Sequence, residues 1–195
     1  MVAMVTDRRR AILDASARLF RHYGAGKTTI ADIAREASVA VGSVYLEFDS
    51  KDAIVHELSK DLHTRVFEQM CAVWNAKQGD PPRALVYVLL ARTLGFVEFR
   101  EQGAHACELV HCTQEGVKLA QAWFRDQERE LFEAILRRGI DLGAFRKVPP
   151  KETAILLQRA FATLSPPWVW AEPEDRVKKT ARDMAQLLVL GLRPE

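Results

Sequence analysis

Residues 28–48 constrain the fold more than any other stretch: Thr-Thr-Ile-Ala-Asp-Ile-Ala-Arg-Glu-Ala-Ser-Val-Ala-Val-Gly-Ser-Val-Tyr-Leu-Glu-Phe. Thr29 and Asp32 have the spacing of a capping box. In that motif the hydroxyl accepts from the N3 amide and the acidic side chain reaches back to the N-cap amide. Ile30, Ile33, Ala34 and Ala37 then fall at i, i+3, i+4 and i+7, one apolar face of a short helix. Ser38 falls where the chain must turn and Val39 can pack into the corner. Val41, Val44 and Phe48 restart the helical period, leaving Gly42, Ser43, Tyr45 and Leu46 on the outer face. A helix, a turn of three to four residues and a second helix are the geometry that sets one helix into a DNA major groove.

The order Gly24, Thr28-Thr29, Ile33-Ala34, Gly42-Ser43, Tyr45, Phe48 and Lys51 closely resembles the DNA-binding domain of tetracycline-repressor-like (TetR-like) transcription regulators. The resemblance is specific over the first quarter of the chain and architectural afterwards. It implies an all-α protein of about nine helices, with a helix-turn-helix DNA-binding domain over residues 1–52 and a helical effector-binding and dimerisation domain over residues 53–195. It implies a homodimeric repressor released from double-stranded operator DNA by a small molecule. Thr28, Thr29, Ala40, Val41, Gly42, Ser43, Tyr45, Leu46 and Lys51 are the implied DNA-binding residues. Thr29, Tyr45 and Lys51 would hold phosphates, while Val41, Gly42, Ser43 and Leu46 would face base edges and thymine methyl groups.

Three positions depart from the family pattern. Ser38 replaces the usual turn glycine, Ala40 replaces the Ser or Thr cap of the recognition helix, and Val41 stands where a basic or polar residue is usual. A lost cap is worth about 1 kcal/mol. No Lys or Arg lies between Arg35 and Lys51, so the recognition helix lacks a bidentate guanine contact, and Glu47 repels phosphate. The expected operator is A·T-rich, or affinity rests on backbone contacts and the first helix.

Charge fits this reading. The chain carries +2 overall, but Arg8, Arg9, Arg10, Arg18, Arg21, Lys27 and Arg35 against Asp7, Asp14 and Asp32 give residues 1–35 a net +4. Three cysteines, Cys71, Cys107 and Cys112, form no disulfide framework in 195 residues and suit a reducing compartment. No apolar leader is expected, since no h-region precedes Asp7, and the longest apolar run, residues 84–91, is too short to span a membrane. A cytoplasmic protein without membrane contact is expected.

The remaining helices follow from punctuation. The first opens at Arg8-Arg9-Arg10, presents Ile12, Ala15, Leu19 and Tyr23 inward with Ser16 and Phe20 beside them, and ends at Gly24. Residues 1–6 should be disordered. Asp49-Ser50 caps a long helix reaching Lys77, which links the two expected domains, so its tilt can carry a signal. Asp80-Pro81 opens an almost wholly apolar helix that Gly103 ends. A short helix over residues 104–112 follows, then one ending at Gly143, one after Pro149-Pro150, and a last after Pro173. The last two, eighth and ninth in order, suit pairing with their symmetry mates.

The resemblance also implies an effector pocket in the larger domain. Phe67, Met70, Trp74, Phe96, His105, His111, Trp123, Phe124 and Phe161 are its candidate lining. One local cluster competes: on an α-helix His105, Glu108 and Cys112 share a face, and Cys107 and His111 are four apart. These are metal-capable types, although they match no closed ligand set. A metal- or thiol-sensing regulator, and a helical interaction protein without specific DNA binding, stand as alternatives. No phosphate loop, nucleophile elbow or paired carboxylates mark an enzyme, and no cofactor is expected.

Overall fold

A computed structural model describes residues 2–102 and 105–194. Its elements are α1 Val2–Tyr23, α2 Ile30–Glu36, α3 Val41–Glu47, α4 Lys51–Lys77, α5 Pro81–Glu98, α6 Glu115–Asp141, α7 Pro150–Ala160 and α8 Glu174–Leu190, with short 3-10 turns between them. No strand occurs among the described residues. Packing divides the chain into two compact units, Met1–Leu62 with Arg100–Gln121, and His63–Phe99 with Ala122–Glu195.

In the first unit α1 buries Ile12, Leu13, Ala15, Ser16 and Phe20. Positions 12, 16 and 20 repeat every fourth residue, so they hold one stripe; Leu19 is half-buried and Tyr23 is exposed, contrary to the expected inner face. Ser16 occupies that stripe without an orphaned hydroxyl, because its Oγ donates to the Ile12 carbonyl at 2.8 Å. The backbone of residues 2–6 continues α1 rather than being disordered. Gly24 ends the helix at φ +81°, its amide donating to the Phe20 carbonyl at 3.0 Å.

The expected helix over residues 104–112 is a 3-10 turn, Ala106–Leu109. Gly103, expected to end α5, lies outside the described residues. This difference removes the α-helical face that would have aligned His105, Glu108 and Cys112.

In the second unit α5 is the central helix. It is buried on nearly every side and packs along α8. Asp80 caps it by accepting from the Arg83 amide at 3.1 Å, with Pro81 at the first position. Gly95 permits the close approach to α4, since a Cβ there would lie 2.7 Å from Gln69 Oε1. Polar atoms are also sealed inside. Arg92 of α5 pairs with Glu128 of α6, donates to the Leu164 carbonyl at 3.2 Å and to Ser165 Oγ at 2.9 Å. Gln158 of α7 donates to the second Glu128 oxygen at 2.7 Å. Each partner thus satisfies a group whose burial alone would be costly.

Candidate nucleic-acid interface

The helix-turn-helix is built as its sequence directs. Thr29 caps α2: its hydroxyl accepts from the Asp32 amide at 3.2 Å, and its own amide donates to Asp32 Oδ2 at 3.0 Å. The Thr29 hydroxyl and amide hold the Asp32 carboxyl below its usual range, with Arg35 adding to the effect. The turn after α2 is a Schellman motif. The Val39 amide bonds the Ala34 carbonyl at 2.9 Å and the Ser38 amide bonds the Arg35 carbonyl at 3.2 Å. Its left-handed residue is Ser38, at φ +57°. A side chain therefore sits where glycine is least strained.

Helix α3 begins at Ala40 with no side-chain cap, as expected from the residue type. Val44 and Phe48 are buried and anchor it. Gly42, Tyr45 and Leu46 are exposed and Ser43 is half-buried, as the periodicity implied, but Val41, expected in the apolar set with Val44 and Phe48, is exposed as well. Leu46 is 77% exposed, an apolar side chain offered wholly to solvent. Beside Gly42 a Cβ would meet nothing within 4 Å.

Two expected DNA-binding residues turn inward. Thr28 is buried and its hydroxyl donates to the Gly24 carbonyl at 2.8 Å. Lys51 uses two of its three N–H groups on the carbonyls of Ala25 and Thr28, at 2.8 and 2.9 Å. Both fix the loop that leads into α2.

The charges are also committed. Arg8 pairs with Glu47, whose side chain is only 6% exposed, so the acidic residue of α3 is withdrawn from the outer face. Arg9 pairs with Glu57, donates to the Glu47 carbonyl at 2.6 Å and stacks over the Phe48 ring at 4.1 Å. Arg10, Arg18 and Arg35 pair with Asp14, Glu36 and Asp32 at the surface. Among the described residues, Arg21 and Lys27 are the exposed cations of residues 7–35 without a carboxylate partner. Exposed pairs are worth little and exchange readily for other anions.

The nine pocket candidates do not gather in one unit. Phe67, Met70, Trp74, Phe96, Trp123, Phe124 and Phe161 belong to the second unit, His105 and His111 to the first. Met70, Phe96, Phe124 and Phe161 are buried; Phe67, Trp74 and Trp123 are half-buried. The Phe96 and Phe124 rings lie 5.4 Å apart, with the His63 ring 5.8 and 5.3 Å from them. A groove of about 610 Å³ runs between α5 and α8, past Arg83, Tyr87, Leu90, Arg182, Val189 and Arg193; none of the nine lines it. Sequence reasoning passed over His63, Arg92 and Glu128. Arg92 was detectable as a charged residue well inside the apolar helix α5.

At the metal-capable cluster, Glu108 is bonded to His105 and to the Ala25 amide. No three His, Cys, Asp or Glu side chains converge as a metal site among the described residues. Burial raises the Cys112 thiol, and burial with the nearby Glu68 raises Cys71, which disfavours the reactive thiolate. Neither sensing alternative gains support from these positions.

No helix among the described residues is long and apolar enough to cross a membrane. Residues 12–58 match the family of bacterial regulatory proteins, tetR family. Over 189 residues the chain is 25% identical to the HTH-type transcriptional repressor KstR2 of Rhodococcus jostii, covering 96% of this chain and 92% of that protein. A transcriptional regulator of the TetR/AcrR family from Thermobifida fusca superposes with a TM-score of 0.70 at 22% identity, over 96% of this chain and 100% of that one. FadR from Bacillus subtilis, solved in complex with stearoyl-CoA, superposes with a TM-score of 0.71 at 18% identity, over 94% and 99%. Residues 12–58 thus match a tetR-family regulatory domain, and over its length the chain is similar to TetR-like transcriptional regulators.

Proposed function

We propose that this chain is a homodimeric repressor that leaves its operator when a small molecule binds the second unit. The observation that carries the DNA-binding part is the outer face of α3. It presents Val41, Gly42, Ser43, Tyr45 and Leu46 together, and its one acidic side chain is drawn back by Arg8. In this reading Val41 and Leu46 meet thymine methyl groups, Gly42 allows close approach, and Ser43 bonds a base edge. Thr29 and Tyr45, with Lys27 and Arg21, hold phosphates and fix register. Thr28, Ala40 and Lys51 serve by shaping the loop and the start of α3.

Dimerisation is supported by apolar side chains that the chain does not itself cover: Leu156 on α7, and Leu187 and Leu190 on α8. A two-fold axis would set two copies of α3 onto half-sites about 34–36 Å apart or further. Effector response is supported by the aromatic cluster of the second unit and by the ligand-bound neighbour FadR. A ligand that fits better when the two α3 helices are too far apart would release DNA by its differential affinity. Regulation and not catalysis is the proposed activity.

Titration of a duplex from the gene's own upstream region tests this. Two chains, or a multiple of two, should bind each site. Binding by single chains, or with equal affinity for random duplex, would contradict it.

A further inference from the structure

Residues 24–28 form the loop that delivers the chain from α1 to the cap of α2, and two side chains hold it. On its carbonyl side Lys51 bonds Ala25 and Thr28. On its amide side sits Glu108, from a segment more than eighty residues away in sequence. Glu108 Oε2 accepts from the Ala25 amide at 3.0 Å, and Glu108 Oε1 lies 2.7 Å from His105 Nδ1. The fit is close: a Cβ on Gly24 would stand 2.8 Å from Oε1 and 3.0 Å from Oε2. Gly24 is therefore required twice, for its positive φ and for the room it leaves the carboxylate.

The segment that carries Glu108 is itself fixed to the same unit. Gln121 donates to the Val110 carbonyl at 2.8 Å. Gly116 lies flat on the first turns of α4, where a Cβ would come within 2.5 Å of the Asp52 carbonyl and 2.8 Å of the His56 nitrogen. Leu109, Val110 and Val117 are buried. Glu108 thus reaches the loop from a seated support, and Ala25 beneath it is buried.

We propose that Glu108 is a positioning residue for DNA binding: through the Ala25 amide it fixes where α2 begins, and so where α3 lies. It touches no DNA in this scheme, which rests on the regulator reading above. Loss of a charge-assisted hydrogen bond frees the loop amide from the protein side, while Lys51 still holds the carbonyls. The result is a loosened helix-turn-helix on a folded chain.

Hydrogen exchange on the 195-residue chain without DNA reads this directly. In Glu108→Ala, exchange at Ala25 and through α2 and α3 should rise by about tenfold or more, with α5 unchanged. Glu108→Gln retains an oxygen acceptor for the Ala25 amide and should stay near the parent chain. In duplex titration Glu108→Ala should bind about tenfold more weakly, with the salt dependence unaltered because no phosphate contact is lost. Faster exchange confined to Ala25, or an equal rise in both units, would overturn the positioning role. Failure of the regulator reading would show separately, as a parent chain that binds no duplex while the exchange pattern still holds.

Discussion

Arg8 of α1 donates through Nε to Glu47 of α3 at 2.8 Å, and the Glu47 side chain is almost wholly buried by the pair. The acidic residue of α3 is therefore a brace to α1. Arg8→Ala should leave that carboxylate without its partner and destabilise the chain by about 1–3 kcal/mol. Urea denaturation measures it. The salt dependence of DNA binding should not change, since Arg8 faces Glu47 and not phosphate. Lys27→Ala should do the reverse: stability is kept, and the salt slope falls by about one unit.

Ser38 closes α2 at φ +57°. Left-handed backbone costs a non-glycine residue roughly 1–2 kcal/mol, part of which glycine returns through greater freedom in the unfolded chain. Ser38→Gly should stabilise by up to about 1 kcal/mol. Ser38→Val should destabilise, a β-branched residue being the worst suited to positive φ. Thermal melting of the pair gives the sign of each.

The exposed face of α3 offers two branched apolar side chains and no cation, so thymine methyl groups are its proposed target. Replacing thymine by uracil at the contacted positions removes only the methyl. Affinity should fall by roughly fourfold per methyl, the value of about 0.8 kcal/mol for one buried apolar carbon. Val41→Ala combined with Leu46→Ala should make binding indifferent to that replacement.

Much of this architecture was legible in residue order. The capping box, the glycine after α1, the buried stripe of α3 and the start of α5 all rest on local rules: a hydroxyl three residues before a carboxylate, a period of 3.6, a proline after an aspartate. The site was less legible because its outcome depends on partners distant in sequence. Nothing near Lys51 announces that its ammonium turns back to Ala25 and Thr28. Nothing near Glu47 announces Arg8. Glu108 looked like a ligand on a helix, but residues 106–109 wind as a 3-10 turn and the carboxylate goes to Ala25. Tyr23, expected inward by its spacing, is exposed at the last position of α1.

The Arg92–Glu128 pair lies in the core of the second unit, with Glu128 fully buried. Glu128→Ala should cost about 3–5 kcal/mol, because Arg92 and Gln158 would both lose a buried partner. A Glu128→Leu, Arg92→Leu double replacement should recover most of that loss. Denaturant midpoints of the three variants decide the matter.

The central claim is that α3 reads duplex DNA. Fluorescence anisotropy with duplex from the gene's upstream region, at two salt concentrations and against random competitor, tests it most directly. The account predicts tight binding by pairs of chains that weakens steeply with salt and resists random competitor. Binding that random duplex abolishes at equal concentration would contradict it.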